Sequence, residues 1–288
     1  MRIYNSYFLS CFILTLFPLA NLWAEDADLA AKTAIVHAGD EPVASPAATT
    51  APTARVNSRA AIYTTIDGQK VEGWLAWPAG KEMGSSPGLI IIHEWWGLNE
   101  NIKQTSERLA AEGYVTLAVD LYRGETAEIP KTAMKLMQSL NAEAEAGVGN
   151  LAAAYDYLHN TMGLEKVGIV GWCLGGRWSL QAALFMPDAI DAMVMYYGSV
   201  VTDKAQLATL QMPVMGNFAE NDPIIPLNEV TEFSATLDAL GKTADIKIYE
   251  GAKHAFSNTS GLAYDPVAAN DAWMRSTKFL AQYLGNPE

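Results

Sequence analysis

The chain has 288 residues, half of them hydrophobic, and carries a formal net charge of −13 at pH 7. A surface this acidic repels phosphate backbones and has no basic stripe, which argues against nucleic acid as a partner.

The first 24 residues have the three-part form of a secretory signal peptide. Arg2 precedes a short apolar run, and small and acidic residues follow it. We predict cleavage after Ala24 and export to the periplasm or beyond. An uncleaved membrane anchor is the alternative, although the run is shorter than the roughly 20 apolar residues of a membrane span. Cleavage would remove Cys11 and leave Cys173 with no internal disulfide partner.

Residues 25–58 are rich in alanine, proline, threonine and serine. Such a composition buries too little apolar area to offset the entropy lost on ordering. We therefore predict a flexible tether and give no role to His37, which lies in it. Residues 59–288 are enough for one domain with a full core.

Within this domain, predicted strands and helices alternate. A hairpin about Asp67-Gly68 comes first, and LIII before His93 is typical of a strand covered on both faces. The order predicts a mostly parallel sheet flanked by helices, with an antiparallel hairpin leading in. The later predicted strands are 114–119, 166–170, 192–197, 214–218 and 244–249, and the helices are 101–112, 130–140, 142–160, 176–186, 227–240 and 267–284, with a short helix before residue 214.

A glycine-framed cysteine stands between a predicted strand and a predicted helix. Gly171, Cys173 and Gly175 give the spacing G-x-C-x-G, typical of the nucleophile elbow of α/β-hydrolases with sulfur in place of oxygen. This turn raises the side chain above the sheet, at a helix N-terminus that favours thiolate. The Leu174 amide then becomes a candidate oxyanion donor. A buried structural cysteine is the alternative.

Two later loops supply candidate partners for this cysteine. Asp222 lies in MGNFAENDPIIP and His254 in GAKHAFSN, each after a predicted strand. Elbow enzymes place an acid and then a histidine after the nucleophile in chain order. The order Cys173, Asp222, His254 therefore favours a catalytic set over a core histidine and a solvated acid.

The sequence HEWWG follows the predicted strand LIII. It lacks the second histidine of the zinc motif H-E-x-x-H, because position 97 is glycine. The loop is instead placed to supply the second oxyanion-hole amide, from Trp95. Glu94 would lie over the same crevice as Cys173, unless it is only a solvated loop carboxylate.

The segments HEWWGLN, DLYRG, GWCLGG, ENDPIIP and GAKHAFSN resemble the dienelactone hydrolase family, over about Ile62 to Leu284. The resemblance implies an α/β-hydrolase fold and attack of a thiolate on an ester or enol-lactone carbonyl, followed by hydrolysis of the thioester. It implies no metal and no organic cofactor. Carried over by motif, the triad and the glutamate that contacts the thiol are Cys173, Asp222, His254 and Glu94.

The resemblance also bears on the substrate, a small ester or lactone. The family binds a substrate carboxylate with two arginines; Arg123 matches the first position within one residue, and Asn258 occupies the second. The missing cation argues against dienelactone itself. We predict that Trp96 and Tyr122 also contact the substrate.

Two other functions remain open from the sequence. One is a non-catalytic protein that binds a small molecule in a cleft lined by Trp95, Trp96, Trp172 and Tyr122. The other is a thiol redox sensor that uses Cys173 with an external resolving thiol. An intact set of cysteine, aspartate and histidine favours the hydrolase.

Overall fold

A computed structural model describes residues 26–40, 42 and 52–285, so the predicted signal peptide lies outside the described residues. The strands are β1 (Val56–Ile66), β2 (Gln69–Pro78), β3 (Gly88–Ile92), β4 (Val115–Ala118), β5 (Val167–Trp172), β6 (Ala192–Tyr196), β7 (Val214–Asn221) and β8 (Ala244–Lys253). The helices are α1 (Asp26–Val36), α2 (Glu100–Ala111), α3 (Pro130–Ala142), α4 (Ala144–Asp156), α5 (Leu174–Phe185), α6 (Lys204–Ala208), α7 (Leu227–Ala239) and α8 (Pro266–Leu284), with a π-helical turn at Tyr157–Thr161. None of these helices combines the length and the apolar character needed to cross a bilayer.

The strands form one eight-stranded sheet in the order β1-β2-β4-β3-β5-β6-β7-β8. The pairs β1–β2 and β2–β4 are antiparallel, and all the others are parallel. The β1–β2 hairpin turns at Asp67 and Gly68, whose φ angles of 50° and 79° suit a two-residue turn between twisted strands. The predicted mostly parallel sheet with an antiparallel lead-in is confirmed.

Helices cover the sheet on both faces, which explains the continuous apolar runs of the central strands. In β3, Leu89 and Ile91 pack with α2 and α8 on one face, whereas Ile90 and Ile92 pack with α3, α4, α5 and α7 on the other. Alternate side chains of a strand point to opposite faces, so a strand covered twice needs an apolar residue at every position.

The parallel strands bring the candidate functional residues to one edge of the sheet. Glu94, Cys173, Asp222 and His254 lie just beyond the carboxyl ends of β3, β5, β7 and β8. Tyr197 follows β6 at the same edge. The crevice outside the carboxyl ends of parallel strands is where open α/β sheets bind ligands.

The N-terminal part of the predicted tether is corrected by the structure. Residues 26–36 form helix α1, which packs on α3 and contributes Ala30 to the core. Buried Thr33 and His37 lie on the same side, because residues three and four apart share one helix face. An alanine-rich segment with few large apolar residues is ordered here because the rest of the domain provides its core. Residues 43–51 of the predicted tether lie outside the described residues.

Candidate active site

The backbone at Cys173 has the form of an elbow. Cys173 has φ of 53° and ψ of −115°, a region that residues with a Cβ rarely occupy, and it stands directly before α5. A Cβ at Gly171 would lie 2.2 Å from the Gly175 carbonyl oxygen, and one at Gly175 would lie 2.4 Å from that of Ile92. Glycine on both sides of the cysteine is therefore required by direct steric exclusion.

The three residues predicted to act together form one hydrogen-bonded chain. His254 Nε2 lies 3.2 Å from Cys173 Sγ, and His254 Nδ1 lies 2.7 Å from Asp222 Oδ2. The other oxygen of Asp222 accepts hydrogen bonds from the amides of Ile224 and Ile225, at 2.8 and 2.9 Å. These amides fix the carboxylate, the carboxylate fixes the imidazole, and Nε2 is left facing the sulfur.

The electrostatics of this chain favour a thiolate–imidazolium pair. Burial by itself raises the pKa of the Cys173 thiol, but the charge and hydrogen bond of His254, assisted by His37, lower it to about 6. Burial lowers the pKa of His254, while the Cys173 thiolate and Asp222 raise it to about 10. Near neutral pH the sulfur therefore carries the negative charge, as a nucleophilic cysteine requires.

Glu94 lies in the crevice as predicted, held by neighbouring polar side chains. Its Oε2 accepts a 2.5 Å hydrogen bond from Asn258 Nδ2, and Tyr197 Oη donates to Oε1 at 3.5 Å. Burial, followed by the negative charge of Cys173, raises the pKa of Glu94 to about 8. Glu94 is therefore mostly protonated at neutral pH, since two adjacent buried anions would repel each other.

Two backbone N–H groups are free to act as oxyanion donors. The amides of Trp95 and Leu174 donate to no other residue in the part of the chain that the structure describes. Leu174 opens α5, so its N–H also points along the positive end of the helix dipole. Tyr122 Oη donates a 3.0 Å hydrogen bond to the Trp95 carbonyl and supports this loop.

His93 has a structural place. Its Nδ1 donates to the Glu94 carbonyl at 2.6 Å, and its Nε2 accepts from the Leu121 amide at 3.2 Å. Both ring nitrogens are thus engaged in holding the loops after β3 and β4 together. The absence of a zinc motif in HEWWG agrees with this use.

The residues predicted to contact the substrate bind other protein groups in the structure. Arg123 forms ion pairs with Asp67 and Glu143, at 3.2 and 2.8 Å, and lines neither of the two cavities at the site. Asn258 binds Glu94, and Tyr122 binds the Trp95 carbonyl, so both hold protein groups in place.

Arg108 of α2 is a cation that the sequence interpretation missed. Its guanidinium lies 4.1 Å from the ring centroid of Trp273, and it has no carboxylate partner among the described residues. A cavity of about 50 Å³ separates it from Glu94, and Asn258 and Trp172 also line this cavity. Only its position in three dimensions identifies it, because it lies 65 residues before Cys173 in the chain.

Beside the thiol itself the space is small. A cavity of about 10 Å³ lies against Cys173, His254 and Tyr197, and Leu29 and Thr33 of α1 close it. Trp95 and Trp96 are buried against each other, with ring centroids 4.8 Å apart. These two rings do not line an open apolar cleft in the described part of the chain.

His37 is the second functional residue that the sequence interpretation missed. Only 1% of it is exposed, and its ring lies 5.6 Å from that of His254 and 5.0 Å from that of Trp95. The spacing of Ala30, Thr33 and His37, at i, i+3 and i+7, is a helical signal within the segment interpreted as a tether.

The chain is similar to known proteins over most of its length. The model of the dienelactone hydrolase family matches residues 71–284. Protein usf of Aquifex pyrophilus is 36% identical over 225 residues, covering 76% of this chain and 96% of that protein. A provisionally named carboxymethylenebutenolidase of Aquifex aeolicus is 31% identical, with the same coverage.

A solved structure shows the same fold. The crystal structure of a provisionally named dienelactone hydrolase of Klebsiella pneumoniae superimposes with a TM-score of 0.71 and 27% identity, covering 80% of this chain and all of that one. Since the family model spans well over half of the sequence, this chain belongs to the dienelactone hydrolase family and is a hydrolase with the α/β-hydrolase fold.

Proposed function

We propose that this hydrolase cleaves carboxylic esters or lactones with Cys173 as nucleophile, His254 as acid and base, and Asp222 as the group that orients His254. The observation that carries the proposal is the continuous chain from Sγ to Nε2 at 3.2 Å and from Nδ1 to Oδ2 at 2.7 Å. An acid, a histidine and a nucleophile in hydrogen-bond contact are the arrangement that nucleophilic catalysis uses.

The first half-reaction transfers the acyl group to sulfur. The Cys173 thiolate attacks the carbonyl carbon, a C–S bond forms, and the carbonyl oxygen becomes an oxyanion. The amides of Leu174 and Trp95 are the donors proposed to stabilise it. Collapse of this intermediate breaks the C–O bond, and the leaving oxygen takes a proton from the His254 imidazolium.

The second half-reaction releases the acid. Water attacks the thioester while neutral His254 accepts one of its protons. The C–S bond breaks, and the thiolate–imidazolium pair is restored. Neutral Glu94, held by Asn258, contributes a hydrogen-bond donor beside the sulfur.

We also propose that the substrate can carry one carboxylate, bound by Arg108. Arg108 has no carboxylate partner in the part of the chain that the structure describes, and it shares a cavity with Glu94 and Trp172; both observations support this assignment. The relatives provisionally named carboxymethylenebutenolidases point, by that name, to a carboxylated lactone. Replacing Arg108 with glutamine should lower kcat/KM on such a lactone about ten- to a hundredfold and leave neutral esters unaffected, because one charge-assisted contact is lost. Arg123→Gln is the matched control and should change neither; equal losses in the two variants would contradict the assignment.

For the whole chain, we propose that residues 1–24 direct export and are removed after Ala24. The short apolar run after Arg2 supports this. Fractionation of expressing cells, followed by sequencing of the N-terminus of the exported protein, tests it. A protein that stays in the cytoplasm with Met1 intact would contradict it.

Turnover of a short-chain activated ester tests the catalytic proposal. Cys173→Ala and His254→Gln should each lower kcat at least about a thousandfold, as removal of a triad member does. His159→Gln is the matched control for the histidine, since His159 binds the Leu164 carbonyl, stacks on Tyr155 and lines neither of the two cavities at the site. Mass spectrometry of quenched wild-type reactions should find the acyl group on Cys173. Retention of more than about a tenth of the wild-type kcat by Cys173→Ala would refute the assignment.

A further inference from the structure

A second imidazole–carboxylate pair approaches the Cys173 sulfur from α1. His37 Nδ1 lies 2.6 Å from Asp40 Oδ2, and the other Asp40 oxygen accepts from the Leu262 amide at 2.9 Å. Asp222 holds Nδ1 of His254 in the same way. In both pairs a backbone-anchored carboxylate holds Nδ1, so Nε2 is the nitrogen left for another partner.

His37 Nε2 is buried and makes no hydrogen bond of ordinary geometry to the described residues, and the Cys173 sulfur is the group whose pKa it lowers. A buried polar atom in this state is costly unless a group supplies the missing contact. The ligand atoms offered by His37, Cys173 and His254 all lie within 4.8 Å of one another, and all three residues are buried. In the hydrolytic mechanism His37 transfers no proton, and its effect is limited to helping lower the pKa of the Cys173 thiol.

We propose that His37, Cys173 and His254 bind a Zn²⁺ ion, and that the bound ion blocks hydrolysis by taking the sulfur lone pair. Tetrahedral zinc, with Zn–N of about 2.0–2.1 Å and Zn–S of about 2.3 Å, needs ligand atoms roughly 3.3–3.6 Å apart. The Sγ–Nε2 distance of 3.2 Å to His254 is close to this value already. The widest pair needs to approach by at most about 1.5 Å, which a small shift of α1 supplies.

The donor set selects the class of ion. One thiolate and two neutral imidazoles suit a borderline-soft cation such as Zn²⁺, whereas Mg²⁺ and Ca²⁺ prefer oxygen. A carboxylate on the far nitrogen of each ligating histidine is the usual support of protein zinc sites, because it fixes the tautomer and the ring orientation. Because the sulfur already carries the negative charge near neutral pH, binding displaces the protons held by the two imidazoles and leaves both rings neutral. The ion then joins the end of α1 to the elbow and to the loop after β8.

Metal binding by the purified, metal-stripped chain tests the site directly. Competition with a chromophoric chelator should find one Zn²⁺ per wild-type chain, and Co²⁺ should give a thiolate-to-cobalt charge-transfer band in the near ultraviolet. Asp40→Asn should weaken Zn²⁺ binding about ten- to a hundredfold, as loss of a carboxylate behind a histidine ligand does. His37→Ala should weaken it more, and His159→Ala, a change outside the cluster, should leave it unchanged. Equal zinc affinity in wild type and His37→Ala, or no charge-transfer band, would overturn the proposal.

The proposed inhibition by Zn²⁺ rests on the proposed ester hydrolysis, but the zinc site and the hydrolytic function can fail separately. With each protein compared to its own zinc-free rate on an activated ester, His37→Ala should need at least about a hundredfold more Zn²⁺ for half inhibition than wild type. If no ester is hydrolysed but zinc binding depends on His37, the function fails and the site stands. If esters are hydrolysed but zinc inhibits both proteins at the same concentration, the site fails and the function stands. Asp40→Asn keeps the test valid if His37→Ala does not fold, which circular dichroism detects.

Discussion

The positive φ of Cys173 predicts an unusual order of stability between two substitutions. Cys173→Ala and Cys173→Gly both remove the thiol and differ by one methyl group. At an ordinary buried position glycine would be the less stable of the two. At φ of 53° and ψ of −115° the Cβ itself is strained, and glycine relieves that strain.

The magnitude follows from three contributions. Relief of the backbone strain stabilises Cys173→Gly by about 1–3 kcal/mol. The greater entropy of the unfolded chain with glycine costs about 0.4–1 kcal/mol, and the lost methyl burial costs about 0.8 kcal/mol. The net expectation is that Cys173→Gly is more stable than Cys173→Ala by about 0.5 kcal/mol.

Equilibrium unfolding in urea, in metal-free buffer, measures this difference. Ala219→Gly is the matched control, because Ala219 is buried in β7 with an ordinary φ. Ala219→Gly should lower the free energy of unfolding by about 1.5 kcal/mol, because the entropy cost and the lost methyl burial apply here too and there is no strain to relieve. The reasoning is refuted if the free energy of unfolding of Cys173→Gly is lower than that of Cys173→Ala by as much as that of Ala219→Gly is lower than that of wild type. That result would show that the elbow is not strained.

Three further outcomes are expected. Asp222→Asn should lower kcat on an activated ester by about 10³–10⁴, because the amide favours the wrong tautomer of His254; unchanged kcat would contradict the role of Asp222. Gly171→Ala should destabilise the chain by more than about 3 kcal/mol in urea unfolding, since its Cβ would lie 2.2 Å from a backbone oxygen; a loss below about 1 kcal/mol would show that the turn can relax. Cys173→Ser should hydrolyse an activated ester far more slowly than wild type, because a hydroxyl is a weaker acid than a thiol and depends more on a general base; equal rates would show that sulfur is incidental.

Local signals in the sequence were sufficient to predict the sheet and the elbow. A strand covered on both faces must be apolar throughout, so β3 and β5 are recognisable without any knowledge of their neighbours. Gly171 and Gly175 are required by contacts within a few residues of the turn or with the adjacent strand. The chain order of Asp222 and His254 then suffices to predict that both lie near Cys173, because parallel strands bring their carboxyl ends to one edge of the sheet.

The roles of the missed residues depend on contacts between segments that are distant in the sequence. Helix α1 is mostly small residues, and its order comes from packing on α3 rather than from its own apolar content. The family resemblance selected Arg123, and no pattern in the sequence indicates Arg108. In the folded chain Asp67 and Glu143 pair with Arg123, whereas Arg108 has no carboxylate partner among the described residues. Ion pairing between distant segments cannot be inferred from spacing.

The space around Cys173 requires that ester and zinc exclude each other. A carbonyl carbon must come within about 3–3.5 Å of the sulfur to be attacked, but the cavity beside the thiol holds only about 10 Å³, and α1 closes it. An ester therefore has to displace α1 and with it His37, which directly follows the helix, whereas a Zn²⁺ ion needs His37 in place. Competition of this kind raises the apparent KM in proportion to zinc concentration and leaves kcat unchanged. Initial rates at several ester concentrations measure this, and a fall in kcat at saturating ester would mean that ion and ester occupy the site together, contrary to the geometry.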